Sequence, residues 1–357
     1  MNASQPTAAA APELAQVVSG RHYTSSHDGL DVSGTIYRDC HFDGVTWLGC
    51  RLSNAHFVDC RFDANRFERC ELTNLTHEDC RFDATAWADC ALRGLAFTGG
   101  AIRDAMWIRS LLKDLVFSKA SGSAWRFEAI RAAHVSLVAS ECAGLVLRGG
   151  QWSDTSWIRV ELDDVNIAAA ELSNFIVGQS RCNGWSIADC GGINVRWIDS
   201  LIAHMTVRAC AFEQAAWSHC TWTNGEIGAS RLPLASFDHA TLTGLSMRDS
   251  ELPQAMFDHA RVEDGDLQRL RAPRVSLRDA RLSRVNLSGA QLRGLDARGA
   301  TLDDVDLRGC DCRAGMLAGQ PRSAWLAADT RHAAFDTPAA EDDHSWRQRT
   351  QPGARGL

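Results

Sequence analysis

Three histidines, His219, His239 and His259, recur at intervals of twenty residues in a chain of 357. Imidazole titrates near neutrality and ligates borderline divalent metals, so such a series, if it converged in space, would be a metal site or a pH-sensitive patch. Asp199 and Asp279 continue the interval, and Asp238 and Asp258 stand beside it. Two aspartate series keep the same interval: Asp39, Asp59, Asp79 and Asp43, Asp63, Asp83. Stacked carboxylates repel unless a cation lies between them, and Arg61 and Arg81 are placed to supply it. Cys310 and Cys312 form a close thiol pair, but both fall on positions read below as interior. The patterns of acyl transfer, phosphate binding, zinc proteolysis and dithiol redox chemistry do not occur: there is no Gly-x-Ser-x-Gly, no phosphate loop ending in Gly-Lys, no His-Glu-x-x-His and no Cys-x-x-Cys. No catalytic residue and no cofactor is expected.

These series converge only if the chain returns to the same place every twenty residues, and a five-residue period indicates how it does so. From Phe42 every fifth residue is large and apolar: Phe42, Trp47, Leu52, Phe57, Phe62, Phe67, Leu72, then His77, Phe82, Trp87, Leu92, Phe97. Two positions earlier runs a series of small or apolar residues, Cys40, Val45, Cys50, Ala55, Cys60, Asn65, Cys70, Leu75, Cys80. A period of five fits neither a helix nor a plain strand and signals a repeat architecture. The frame holds from Val32 to Leu317 without insertion or deletion. Columns twenty apart keep their residue type: Phe42, Phe62, Phe82, Ile102 in one, Trp47, Phe67, Trp87, Trp107, Phe127 in the next, Leu52, Leu72, Leu92, Leu112 in a third. Four repeats therefore make one square turn, and residue i stacks on i+20 about 4.8 Å away.

Cys60-Arg61-Phe62, Cys80-Arg81-Phe82, Val285-Asn286-Leu287 and Val305-Asp306-Leu307 carry a resemblance to the pentapeptide-repeat family. The resemblance implies an all-β, right-handed quadrilateral β-helix of about 14 coils, a rod on the order of 70 Å long at one strand spacing per coil. It divides the chain into a disordered N-terminus plus cap at 1–29, the repeat β-helix at 30–317, and a C-terminal cap and mobile tail at 318–357. In the cap, a short helix over Ser323–Asp329 would pack Trp325 and Leu326 on the last coil. The resemblance also implies a non-enzymatic scaffold for protein–protein interaction. Stand-alone members with Cys-x-Phe repeats look like accessory components of bacterial type VI secretion, and other members inhibit DNA gyrase or topoisomerase IV by mimicking DNA.

Bulk properties bound these readings. The formal net charge is −7 and Lys113 and Lys119 are the only lysines, so no broad basic surface exists for direct nucleic-acid binding. No apolar run is long enough to span a bilayer, and the N-terminus lacks a secretion signal. The thirteen cysteines fall on interior positions and read as buried free thiols, which places the chain in the reducing cytoplasm without disulfides. Contact with a partner must then use the outer walls. The outward apolar residues Ile158, Ile176 and Ile198 and the two aspartate series are the candidate contact residues, and a terminal cap offers the surface for a homodimer.

Overall fold

A computed structural model describes residues 16–335. Of the terminal segments expected at 1–29 and 318–357, residues 1–15 and 336–357 lie outside the described residues. The chain winds into a parallel β-solenoid of about 14 coils. Each coil lays down four short strands, one per wall. The first wall stacks His41–Asp43, Arg61–Asp63, Arg81–Asp83 and their successors; the second stacks Thr46–Leu48, Arg66–Glu68 and so on; the third begins with Asp31–Ser33 and Arg51–Ser53; the fourth with Val17–Ser19, Ile36–Arg38 and His56–Val58. Every ladder is parallel, and Phe42 pairs with Phe62, Phe62 with Phe82 and Leu52 with Leu72, as the interval of twenty requires. The first wall is a 15-stranded sheet and the second an 11-stranded one. The third and fourth walls join into one 16-stranded sheet, because strands such as Gln151–Ile158 and Glu171–Gly178 run on around their shared corner.

The stack is longer at both ends than the repeat frame implies. Pairing begins at Val17, which lies opposite Ile36, an offset of nineteen, whereas His27 lies opposite Trp47, an offset of twenty. The corner between Tyr23 and His27 is one residue short, so the frame slips there and the first coil is hidden from a strict period of five. At the other end Asp311 bridges Asp329 and Met316 bridges Ala334, an offset of eighteen. The closing element is a 3-10 turn over Arg322–Trp325 rather than a helix over Ser323–Asp329. Trp325 is buried as expected, but Leu326 is 83% exposed, because one turn of this length cannot point adjacent side chains the same way.

The interior is filled by the large series. Rings in one column lie face to face: Phe42 on Phe62 at 4.8 Å, Phe62 on Phe82 at 4.5 Å, Trp87 on Trp107 at 4.8 Å, Trp197 on Trp217 at 5.3 Å. Such pairs add about 0.5–1.5 kcal/mol each beyond burial. Apolar-lined voids of about 20 and 10 Å³ remain within the packed column. The second series does more than fill space. Cys60 Sγ donates to the carbonyls of Tyr37 and Val58, and Thr85, Ser110 and Asn65 donate to the equivalent carbonyls of Phe62, Trp87 and Phe42. Trp125 and Trp185 occupy this series too and donate Nε1 to Ile102 O at 2.8 Å and Leu162 O at 3.0 Å. The position thus selects a donor that satisfies a buried carbonyl. An oversized indole is accommodated by a missing side chain nearby. A Cβ on Gly122 would lie 2.6 Å from Trp125 Cε2, and one on Gly225 would lie 2.5 Å from Trp222 Cε2.

Candidate functional site

The corners place the histidine ladder. His219, His239 and His259 sit at the turn between the fourth and first walls, each with φ near +57°. Ala240 N donates to Phe237 O at 3.0 Å and Ala260 N to Phe257 O at 3.1 Å, closing tight turns with the histidine as third residue. Gly, Asn and Asp ordinarily occupy this left-handed region, but corners hold Ala64, Arg69 and Leu234 in it as well. Pairing on both sides imposes the conformation whatever residue stands there. The rings stack as expected, His219 on His239 at 4.9 Å and His239 on His259 at 4.6 Å. His239 Nδ1 lies 3.0 Å from Asp238, and His259 Nδ1 lies 4.0 Å from Asp279. Asp258 accepts a short hydrogen bond from Ser276 and one from Arg278 N at 3.2 Å, and burial pushes its carboxyl up.

Asp39, Asp59 and Asp79 lie on the same corner column nearer the N-terminus, exposed and with φ close to +51°. Asp43, Asp63 and Asp83 lie in register on the outside of the first wall. Arg61 pairs with Asp63 as expected, while Arg81 makes no ion pair among the described residues. Histidines supply the other partners: His41 Nε2 lies 2.8 Å from Asp63, and His22 Nε2 lies 3.7 Å from Asp43. His22 is hidden in sequence because it belongs to the slipped first coil, and His41 because its partner Asp63 lies diagonally across, one coil on and two residues along. The array is therefore interleaved with cations and hydrogen-bond donors rather than continuously negative. Cys310 and Cys312 are both buried, with Cys310 Sγ 2.8 Å from Leu287 O, so the pair belongs to the packed interior.

The three isoleucines converge. Ile158, Ile176 and Ile198 all lie on the fourth wall, with Ile158 beside Gly178 and Gly178 beside Ile198 in adjacent strands. Ile158 leans into the space that a side chain at Gly178 would fill. Val116, 38% exposed, and Val138 extend the same strip, and Ser136 and Ser156 between them are bonded to each other at 3.1 Å. From Val116 to Gly178 no outward position of this wall carries a charge. The corners on either side are polar: Asp114, His134, Asp154, Asn174 and Asn194 form a bonded column along one edge, and Lys119 and Arg159 stand on the other. Sorting the outward positions by their remainder on division by twenty is the sequence signal that would have gathered this strip.

The first wall carries a groove of about 390 Å³ where Gly122 leaves the central position empty, edged by Arg103, Glu141, Glu161 and Asp163. No helix among the described residues is long and apolar enough to cross a membrane, which says nothing of β-barrels.

Two family models match this chain: pentapeptide repeat region over residues 33–107, and pentapeptide repeats (8 copies) over residues 275–311. No curated protein matches it in sequence. Solved structures similar to it include a pentapeptide repeat protein, Rfr23, from the cyanobacterium Cyanothece 51142, at 15% identity over 37% of this chain and 91% of that one, with a TM-score of 0.27. Full-length QnrB1, a plasmid-mediated fluoroquinolone resistance protein, is 11% identical over 64% of this chain and 98% of its own, with a TM-score of 0.24. HetL, involved in heterocyst differentiation regulation in Nostoc sp. strain PCC 7120, is 14% identical over 79% and 89%, with a TM-score of 0.19. Over residues 33–107 and 275–311, within a chain whose strands stack every twenty residues, this protein is similar to the pentapeptide-repeat family.

Proposed function

We propose that this protein is a non-enzymatic scaffold that holds a partner protein on its fourth wall, with Ile158, Ile176 and Ile198 at the centre of the contact. The observation that carries this reading is the strip of the fourth wall from Val116 to Gly178 that carries no charge, with Ile198 at its end beside Arg196, flanked by polar corners, in a chain that is 23% charged. An apolar centre inside a polar rim is the anatomy of a protein interface. A rigid rod that keeps its wall flat also binds with little loss of conformational freedom. The Cys-x-Phe repeats suggest a setting, the loading or assembly of a type VI secretion apparatus, and Val17, exposed on the first coil, favours a homodimer joined at that end. The DNA-mimic reading has less support, because Arg61 pairs with Asp63, and His41 and His22 lie against Asp63 and Asp43, so the aspartate array is not the open row of carboxylates that it would need.

Affinity capture from the native host with the wild-type chain, with Ile158→Asp/Ile198→Asp, and with Leu201→Asp on the first wall tests the reading. A partner retained by wild type and Leu201→Asp but lost by the double variant is the expected result. Retention by all three would refute it, and inhibition of supercoiling in a gyrase assay would restore the DNA-mimic alternative. Light scattering, with Val17→Asp as control, checks the dimer.

A further inference from the structure

The slipped first coil builds a second histidine cluster, on the first wall. His22 pairs in register with His41, and their rings stack at 4.6 Å with planes 5° apart. Asp43 follows His41 by two residues on the same strand and so projects from the same side. Asp63 stands in register above Asp43. The result is a staggered set on one flat face, His22 and His41 in one column and Asp43 and Asp63, one coil further on, in the next, with His41 Nε2 2.8 Å from Asp63. The ligand atoms of His22, His41 and Asp43 all lie within 4.8 Å of one another. Four donors around one tetrahedral ion at about 2.1 Å lie roughly 3.4 Å apart, so modest side-chain rotations close the set. The short corner between Tyr23 and His27 is what makes this possible. With a full five-residue corner, Arg21 rather than His22 would lie opposite His41, and a guanidinium cannot ligate a cation.

We propose that His22, His41 and Asp43, with Asp63 completing the set, bind one borderline divalent cation of the Zn²⁺, Co²⁺ or Ni²⁺ class. Two neutral imidazoles with carboxylate oxygens suit these ions, whereas Mg²⁺ and Ca²⁺ take all-oxygen sets. On loading, Asp63 exchanges its contacts with Arg61 and His41 for the metal. The ion then ties the two-residue strand His22–Tyr23 to the coil above it and stabilises the open end of the solenoid, where local opening is easiest. The corner ladder is the competing site, since His219, Asp238 and His239 also place their ligand atoms within 4.8 Å.

The test uses the full-length chain without a polyhistidine tag, titrated with Zn²⁺ by calorimetry and with Co²⁺ by visible absorption. One ion per chain is expected, with affinity weakened by more than about 10-fold in His22→Gln and in His41→Gln and unchanged in His239→Gln. Zn²⁺ should also shift the ring resonances of His22 and His41 and slow amide exchange in the first coil. Circular dichroism confirms that each variant keeps its β signal. Absence of binding, or binding that survives both His22→Gln and His41→Gln, overturns the proposal. Loss of binding in His239→Gln alone overturns it equally, and places the ion on the corner.

Discussion

His77 is the single imidazole in the aromatic column of the fourth wall, and replacing it with phenylalanine should stabilise the protein in a pH-dependent way. Its ring stacks on Phe57 at 5.0 Å and on Phe97 at 4.6 Å, is 6% exposed, and has no hydrogen-bond partner for Nδ1. Leaving that nitrogen unpaired costs about 1–3 kcal/mol, which His77→Phe recovers at any pH. Burial also pushes the imidazole down from 6.5 to about 3, against a smaller opposing effect of the Ala96 backbone. The unfolded chain therefore takes up a proton near pH 6.5 that the folded chain refuses until about pH 3. Stability is undiminished above pH 6.5 and falls by about 1.4 kcal/mol per unit below it. Between pH 7.5 and 5.0 the wild type should lose about 2 kcal/mol through this group, and His77→Phe should not. Urea denaturation followed by tryptophan fluorescence, run on both proteins at both pH values, isolates the effect, because other titrations cancel in the comparison. Identical pH dependence of the two proteins, or a less stable variant at pH 7.5, would refute the reasoning.

Other perturbations probe the packing. Gly122→Ala forces a Cβ against Trp125 and the Ile102 carbonyl, and should cost about 1–3 kcal/mol by thermal denaturation. All thirteen thiols are buried, and burial pushes those of Cys142 and Cys220 up to about 12. Ellman's reagent at pH 8 should therefore react with none of them in the native state and with all thirteen in guanidinium. Asp296 is fully buried and accepts bonds from Arg298 Nε at 2.9 Å and Nη2 at 2.7 Å. Asp296→Ala removes the carboxylate from a mostly buried guanidinium and should cost about 3 kcal/mol in denaturant midpoint analysis.

The walls are legible because burial in this fold is strictly periodic: two side chains in every five point inward, so the interior is written directly into residue type. The stack of His219, His239 and His259 followed from the same arithmetic. The pairing of His22 with His41 did not, since one residue missing before His27 shifts Val18, His22 and Tyr23 out of frame while the side chains of Val18 and Tyr23 still face the core. Leu326 was misplaced because beyond Leu317 no period remains to say which way a side chain points. The second interior series stands out in sequence only as small or apolar, which hides the donor that its Cys, Ser, Thr and Asn members share. Ile158, Ile176 and Ile198 were recognised as outward-facing one by one. Their meeting around Gly178 depends on the register of three coils at once.

The claim that recognition takes place on the fourth wall is tested most directly by placing a photo-crosslinking amino acid at Ile176, at Ile108 on the second wall and at Leu201 on the first, and irradiating cells of the native host. A discrete crosslinked protein at Ile176, absent at the other two positions, is the predicted result. Adducts confined to Ile108 or Leu201, or equal at all three, would contradict it.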